Sequence, residues 1–269
     1  MIAVAQLGLT VGEPDANRKA AAEAVTEAAA AGARLVVLPE LSDSGYVFAS
    51  AEEARGLASP ADDSETLRQW QSLAREHHLV IVGGFCELGA NGRLYNSAAL
   101  VDGSGVRAVY RKAHLWDTEK QVFVPGDAPP PVVETELGRV GVMICYDLEF
   151  PEWVRRAALD GADLVAAPVN WPAVTAPPGE RPTEVIKAQA AAATNGVYVA
   201  VADRCRAERG VSWISGSVIV GPDGYPLAGP VLDDRPALLT ASADLPRTRD
   251  KRLAGDNDLL GDRRPELYG

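Results

Sequence analysis

Only three cysteines (Cys86, Cys145 and Cys205) and three histidines occur in the 269 residues. An odd, small cysteine count excludes a secreted disulfide scaffold and fits a reducing interior where a free thiol survives. His77 and His78 sit together at a polar helix end, and no CxxC or HExxH spacing occurs, so no metal site is expected. No GxGxxG or GxxxxGK follows a strand, and Gly103-Ser104-Gly105 reads as a hairpin turn. No cofactor is therefore implied. No apolar run approaches the roughly 18 residues of a membrane span, and Met1 to Gln6 carries no basic segment before an apolar one. The expectation is a cytoplasmic protein without membrane contact. Positive charge is also short, with 26 Lys and Arg against 37 Asp and Glu and a net charge of −11. Nucleic-acid affinity rests on neutralising phosphates, so no nucleic-acid partner is expected and the charge serves solubility.

What is present is an ordinary globular balance, 47% hydrophobic and 23% charged, enough to build a core without disulfides or metal. Short apolar runs alternate with helical stretches. Ile2–Leu7 and Arg34–Leu38 read as strands around an alanine-rich helix, Arg18–Ala31, capped by Asp15 or Asn17 and stopped at Gly32. A helix over Ser64–His77 precedes the strand Leu79–Phe85, and Asn96–Asp102 and Val106–Lys112 form a hairpin. The strand Val140–Cys145 leads to a helix opening at Pro151. After it come the strand Leu164–Pro168, a proline-rich loop, a helix over Thr183–Asn195 and the strands Val197–Ala202, Ser217–Val220 and Ala237–Ala243. This order suits two sheets with helices packed outside them. One domain over 1–245 and a charged tail over 246–269 are expected.

Free cysteine is more often a small buried hydrophobe than a nucleophile. Cys86 and Cys205 take that bland reading. Cys145 differs, because its strand delivers it to an abrupt turn and helix start at a sheet edge. Backbone N–H groups point outward there and stabilise a thiolate or an oxyanion. A cysteine nucleophile also needs a base. Asp147 and Glu149 are near in sequence. Glu40 leaves the buried strand Leu35-Val-Val-Leu-Pro39, and Lys112 ends another apolar strand. From spacing alone, Glu40 and Lys112 read more readily as ordinary solvated residues than as a base and an oxyanion partner.

Three segments change that balance. They are Leu35-Val-Val-Leu-Pro-Glu40 running on to Ser44-Gly-Tyr46, Tyr110-Arg-Lys112-Ala-His114-Leu-Trp running on to Phe123-Val-Pro-Gly126, and Gly141-Val-Met-Ile-Cys145-Tyr-Asp147-Leu-Glu-Phe-Pro151. In this order they resemble the nitrilase superfamily, the carbon–nitrogen hydrolases. The resemblance implies an α/β fold, a four-layer α-β-β-α sandwich, and a Glu-Lys-Cys triad: Glu40 as general base, Lys112 beside the oxyanion, Cys145 as nucleophile. Glu119 matches the family's further active-site glutamate, though a helix cap is its plainer role. Tyr146-Asp147 after the cysteine is similar to the amidases and carbamoylases, whereas nitrilases usually carry Trp-Glu there. Tyr46, Tyr146, Asn170 and Trp171 would line the substrate site by the same analogy. The resemblance thus implies hydrolysis of a small aliphatic amide or carbamoyl amine, with a nitrilase or a non-catalytic binder as alternatives. It also implies a homodimer or higher homo-oligomer. A Cys145–His114 pair would be a different catalytic solution; in the family the histidine position is not the base.

Overall fold

A computed structural model describes residues 1–268; Gly269, the last residue of the expected tail, lies outside the described residues. In chain order the strands are β1 (Ile2–Gly8), β2 (Leu35–Val37), β3 (Val80–Leu88), β4 (Leu94–Asp102), β5 (Gly105–Arg111), β6 (Val132–Thr135), β7 (Gly138–Val142) and β8 (Leu164–Pro168). They continue with β9 (Tyr198–Ala202), β10 (Arg204–Cys205), β11 (Val218–Val220), β12 (Pro226–Ala228), β13 (Ala237–Ala241), β14 (Arg252–Ala254) and β15 (Asn257–Asp258). The helices are α1 (Pro14–Ala30), α2 (Ala51–Leu57), α3 (Glu65–His77), α4 (Pro151–Leu159) and α5 (Thr183–Asn195).

One sheet runs β10-β1-β2-β3-β4-β5, with β13 also paired to β1; a second runs β12-β11-β9-β8-β7-β6. Strand side chains alternate between faces, and here both faces are apolar. Ile2, Val4, Leu35, Val37, Val80 and Val82 of the first sheet pack against Val140, Val142, Leu164 and Val199 of the second. The intervening residues Ala3, Ala5, Val36 and Ile81 face Val25 and Ala28 of α1 and Leu67 and Trp70 of α3. On the far side, Val154 and Ala157 of α4 and Val185 and Ala188 of α5 close over the second sheet. The result is the α-β-β-α sandwich. Burial on both faces explains why the strands read as continuous apolar runs rather than alternating ones.

The expected elements are present with two informative differences. Helix α1 begins at Pro14, whose missing N–H costs nothing in a first turn. Neither Asp15 nor Asn17 caps it: Asn17 is buried and bonds both backbone groups of Thr10 and the carbonyl of Asp43 instead. Strand β7 ends at Val142, so Cys145 stands in a short 3-10 turn, Cys145–Glu149, not in the strand.

Two contacts tie the chain after Asp244 to the second sheet and α5. Thr248 and Arg249 bond the buried Asp163. Lys251 donates to the carbonyls of Asn195 and Gly196, where a cation suits the carboxyl end of α5.

Candidate active site

Glu40, Lys112 and Cys145 leave different strands at one end of the sandwich. Glu40 follows β2 and Lys112 follows β5, both from the first sheet, whereas Cys145 follows β7 of the second. Close backbone approach is required at the first of these. A Cβ on Gly84 of β3 would stand 2.4 Å from the Leu41 nitrogen and 2.6 Å from the Glu40 Cα. Glycine is what lets the Glu40 loop lie directly on the sheet.

Lys112 Nζ donates to Glu40 Oε1 at 2.7 Å and to Glu119 Oε1 at 2.8 Å, with all three residues buried. Asn96 adds its Nδ2, at 2.6 Å from Glu40 Oε1 and 3.2 Å from Glu119 Oε1. Glu119 Oε2 meanwhile accepts the Trp116 N–H at 2.8 Å. Glu119 thus bonds Lys112 with one oxygen and caps its own short turn with the other. Asn96 escaped the sequence reading because it sits inside β4, outside the three matching segments.

Two carboxylates share one ammonium, and the second oxygen of Glu40 has no protein partner despite full burial. Burial is the main cause lifting the Glu40 carboxyl from 4.5 to about 7; Lys112 pulls it down and Glu119 pushes it up. Burial opposes the charge on Lys112, yet Glu119 and Glu40 hold its pKa well above the usual ammonium value.

Cys145 takes φ +48°, left-handed backbone that a residue with a Cβ enters at a cost. The turn is held by Asp147, whose Oδ2 accepts the Ile144 N–H at 3.1 Å. The thiol points at the Asn170 carbonyl, 3.9 Å away. Burial and the neighbouring Glu40 raise the Cys145 pKa well above its ordinary value, against the pull of Lys112.

Asn170 joins the two sides of the site, since its Nδ2 donates to the Glu40 carbonyl at 3.0 Å. Trp171 is buried, its N–H donating to Asp203 at 3.1 Å while its indole Nε1 has no partner. Tyr46 is placed by Glu208, whose Oε2 accepts the N–H groups of Tyr46 and Val47 at 2.8 and 2.7 Å. Glu208 is in turn paired with the buried Arg204. The Tyr46 ring meets Trp213 edge-on at 5.6 Å. Burial raises its hydroxyl pKa well above 10, helped by the negative charge of Glu119 and Glu40. Trp213 carried no sequence signal, lying in a loop far from the three motifs. Tyr146 stands at the rim, its ring edge-on to Trp116 at 4.9 Å and to Phe150 at 5.0 Å.

The other base candidates are otherwise engaged. Both oxygens of Asp147 accept hydrogen bonds, and Glu149 pairs with Lys187. His114 holds Asp147 with its Nδ1 at 2.6 Å. Among the described residues no cluster of three or more His, Cys, Asp or Glu forms a metal site.

The family model for carbon–nitrogen hydrolases matches residues 1–253. A nitrilase of Pyrococcus abyssi is 38% identical over 99% of this chain and 98% of its own. An N-carbamoylputrescine amidase of Arabidopsis thaliana is 32% identical over 94% of this chain and 88% of its own. Among solved structures, the amidase from Nesterenkonia sp. AN1, captured after Michael addition of acrylamide at its active-site cysteine, superposes with a TM-score of 0.81. It is 31% identical, over 99% of this chain and 97% of that one. Sequence, fold and a buried Glu-Lys-Cys arrangement thus agree, and the chain belongs to the carbon–nitrogen hydrolase family, on the amidase-like branch of the nitrilase superfamily.

Proposed function

We propose that the protein hydrolyses the C–N bond of a small aliphatic amide or carbamoyl amine through a thioester on Cys145. The observation that carries this reading is the free Oε2 of Glu40, buried without a partner in the same site as Cys145 and the Lys112 ammonium. In that arrangement Sγ attacks the carbonyl carbon while its proton passes to Glu40. The oxyanion is met by Lys112 and by the Tyr146 N–H, one of the first in its turn and so without an intrahelical partner. Glu40 returns the proton to the nitrogen, the C–N bond breaks and ammonia or an amine leaves. Water, losing a proton to Glu40, then attacks the thioester carbon; the C–S bond breaks, the acid departs and the thiol is restored. Glu119 anchors Lys112 between the two carboxylates.

Tyr46, Asn170, Trp171 and Tyr146 surround this centre as substrate-binding residues. Cys145 is only 4% exposed, which favours a compact acyl group. A homo-oligomer is supported by Leu159 and Ile186, 45% and 44% exposed on the neighbouring helices α4 and α5. Three free cysteines suit a cytoplasmic location. The span 1–245 is taken as the catalytic domain and 246–269 as its tail.

Ammonia release from small amides, carbamoyl amines and matching nitriles, with Cys145→Ala as control, tests the reading. Release from amides or carbamoyl amines, lost in the variant, is expected. Turnover of nitriles alone would favour the nitrilase reading, which the Pyrococcus abyssi relative keeps open.

A further inference from the structure

The nucleophile and its lysine come from different sheets, so something must fix one sheet end against the other. Asp147 spans that gap. Its Oδ2 accepts the N–H of Ile144, the residue before Cys145, at 3.1 Å, and the Tyr110 hydroxyl of β5 at 2.8 Å. Its Oδ1 accepts the His114 N–H at 3.0 Å and lies 2.6 Å from His114 Nδ1. His114 stands two residues beyond Lys112. One carboxylate therefore grips the chain on either side of the reacting groups. The grip is reinforced from outside. Trp153 of α4 donates its Nε1 to the Tyr110 hydroxyl at 2.9 Å, and the Ala113 N–H donates to the same oxygen at 3.3 Å. Phe150 stacks on the His114 ring with centroids 3.8 Å apart.

We propose that the Asp147–His114 pair is the positioning device that sets Cys145 against Lys112, acting on turnover through alignment and not through contact with substrate. The pair is held in place on all sides: Asp147 is buried with both oxygens engaged, and the His114 ring lies between Asp147 and its stack on Phe150. Every bond that Asp147 accepts comes from a segment carrying a catalytic group or from the strand leading to it. A purely local cap of the turn needs only the Ile144 N–H. The bonds to His114 serve the alignment of two sheets.

This inference rests on the amidase reading, and the test separates the two. His114→Phe keeps the stack on Phe150 and the backbone N–H bond but removes the Nδ1 contact. Asp147→Asn keeps the shape and replaces one acceptor with a donor. For each, kcat and KM for the best amide are measured beside the rate of Cys145 alkylation by iodoacetamide. Alkylation displaces iodide from a saturated carbon and forms no oxyanion, so it reports Cys145 and Glu40 without the carbonyl-oxygen contact of Lys112. A small displacement of reacting groups costs up to about a hundredfold in rate. A kcat lowered about tenfold or more is expected, with KM within about threefold of the parent and the alkylation rate falling by less than kcat. If Asp147→Asn fails to fold, His114→Phe decides. Unchanged kcat in His114→Phe would overturn the proposal, as would alkylation falling in step with kcat, since that marks general collapse of the site. A parent that alkylates at Cys145 but turns over no amide refutes the amidase reading instead.

Discussion

Removing the Lys112 ammonium should injure both chemistry and fold, and the two injuries can be separated. Glu40 Oε1 and Glu119 Oε1 each contact Nζ, at 2.7 and 2.8 Å, with no exposure of the lysine side chain. Lys112→Ala therefore leaves two buried carboxylates about 5 Å apart, repelling by about 3 kcal/mol at an effective dielectric constant of 20. Breaking a buried pair on one side costs about 3–5 kcal/mol. At about 2–4 °C per kcal/mol for a chain of this size, Tm should fall by roughly 6–20 °C, unless one carboxyl takes up a proton. Loss of an oxyanion donor separately removes about 2.7–4 kcal/mol from the transition state, a hundred- to thousandfold in kcat. The double variant Lys112→Ala/Glu119→Gln deletes one of the stranded charges. Thermal denaturation should recover much of the lost Tm, whereas ammonia release stays at the single variant's level. Recovery of activity with Tm, or an undisturbed Tm in the single variant, would refute the shared-ammonium account.

Other consequences follow from the same geometry. Glu40 acts as base only when ionised, and its carboxyl is lifted to about 7, so kcat/KM should rise with pH through that value and level off above it. A pH–rate profile with its acid limb near the ordinary 4.5 would exclude Glu40 as the titrating base. Gly84→Ala places a Cβ 2.4 Å from the Leu41 backbone nitrogen. Overpacking of this kind costs about 1–3 kcal/mol, and because the displaced segment bears Glu40, kcat should drop further than the Tm change alone implies. Parent-like kcat in a destabilised Gly84→Ala protein would show that the Glu40 loop tolerates movement.

The catalytic strand ends were legible because their signals are local. A buried apolar strand broken by Pro39 before Glu40, a strand closing on Lys112, and an apolar run arriving at Cys145 are each visible within a few residues. The resemblance to a known family then joined them. The short helix α2 and the strands β6 and β12 were missed, since three to seven residues carry too little periodicity to announce an element. Asn17 looked like a cap because asparagine caps helices well. Its side chain instead serves Thr10 and Asp43, which distance along the chain could not reveal.

By itself the sequence determined the alternation of strands and helices, the burial of both sheet faces, and which residue types stand at the strand ends, all set by neighbours in the chain. The tertiary structure decided what those groups are to each other. Lys112 meets Glu40 across 72 positions, Asn170 reaches the Glu40 carbonyl across 130, and Glu208 fixes Tyr46 across 162. Burial, which raises the Glu40 and Cys145 pKa values, is likewise a property of packed surroundings. Charge and desolvation act through space, and only the folded chain specifies those distances.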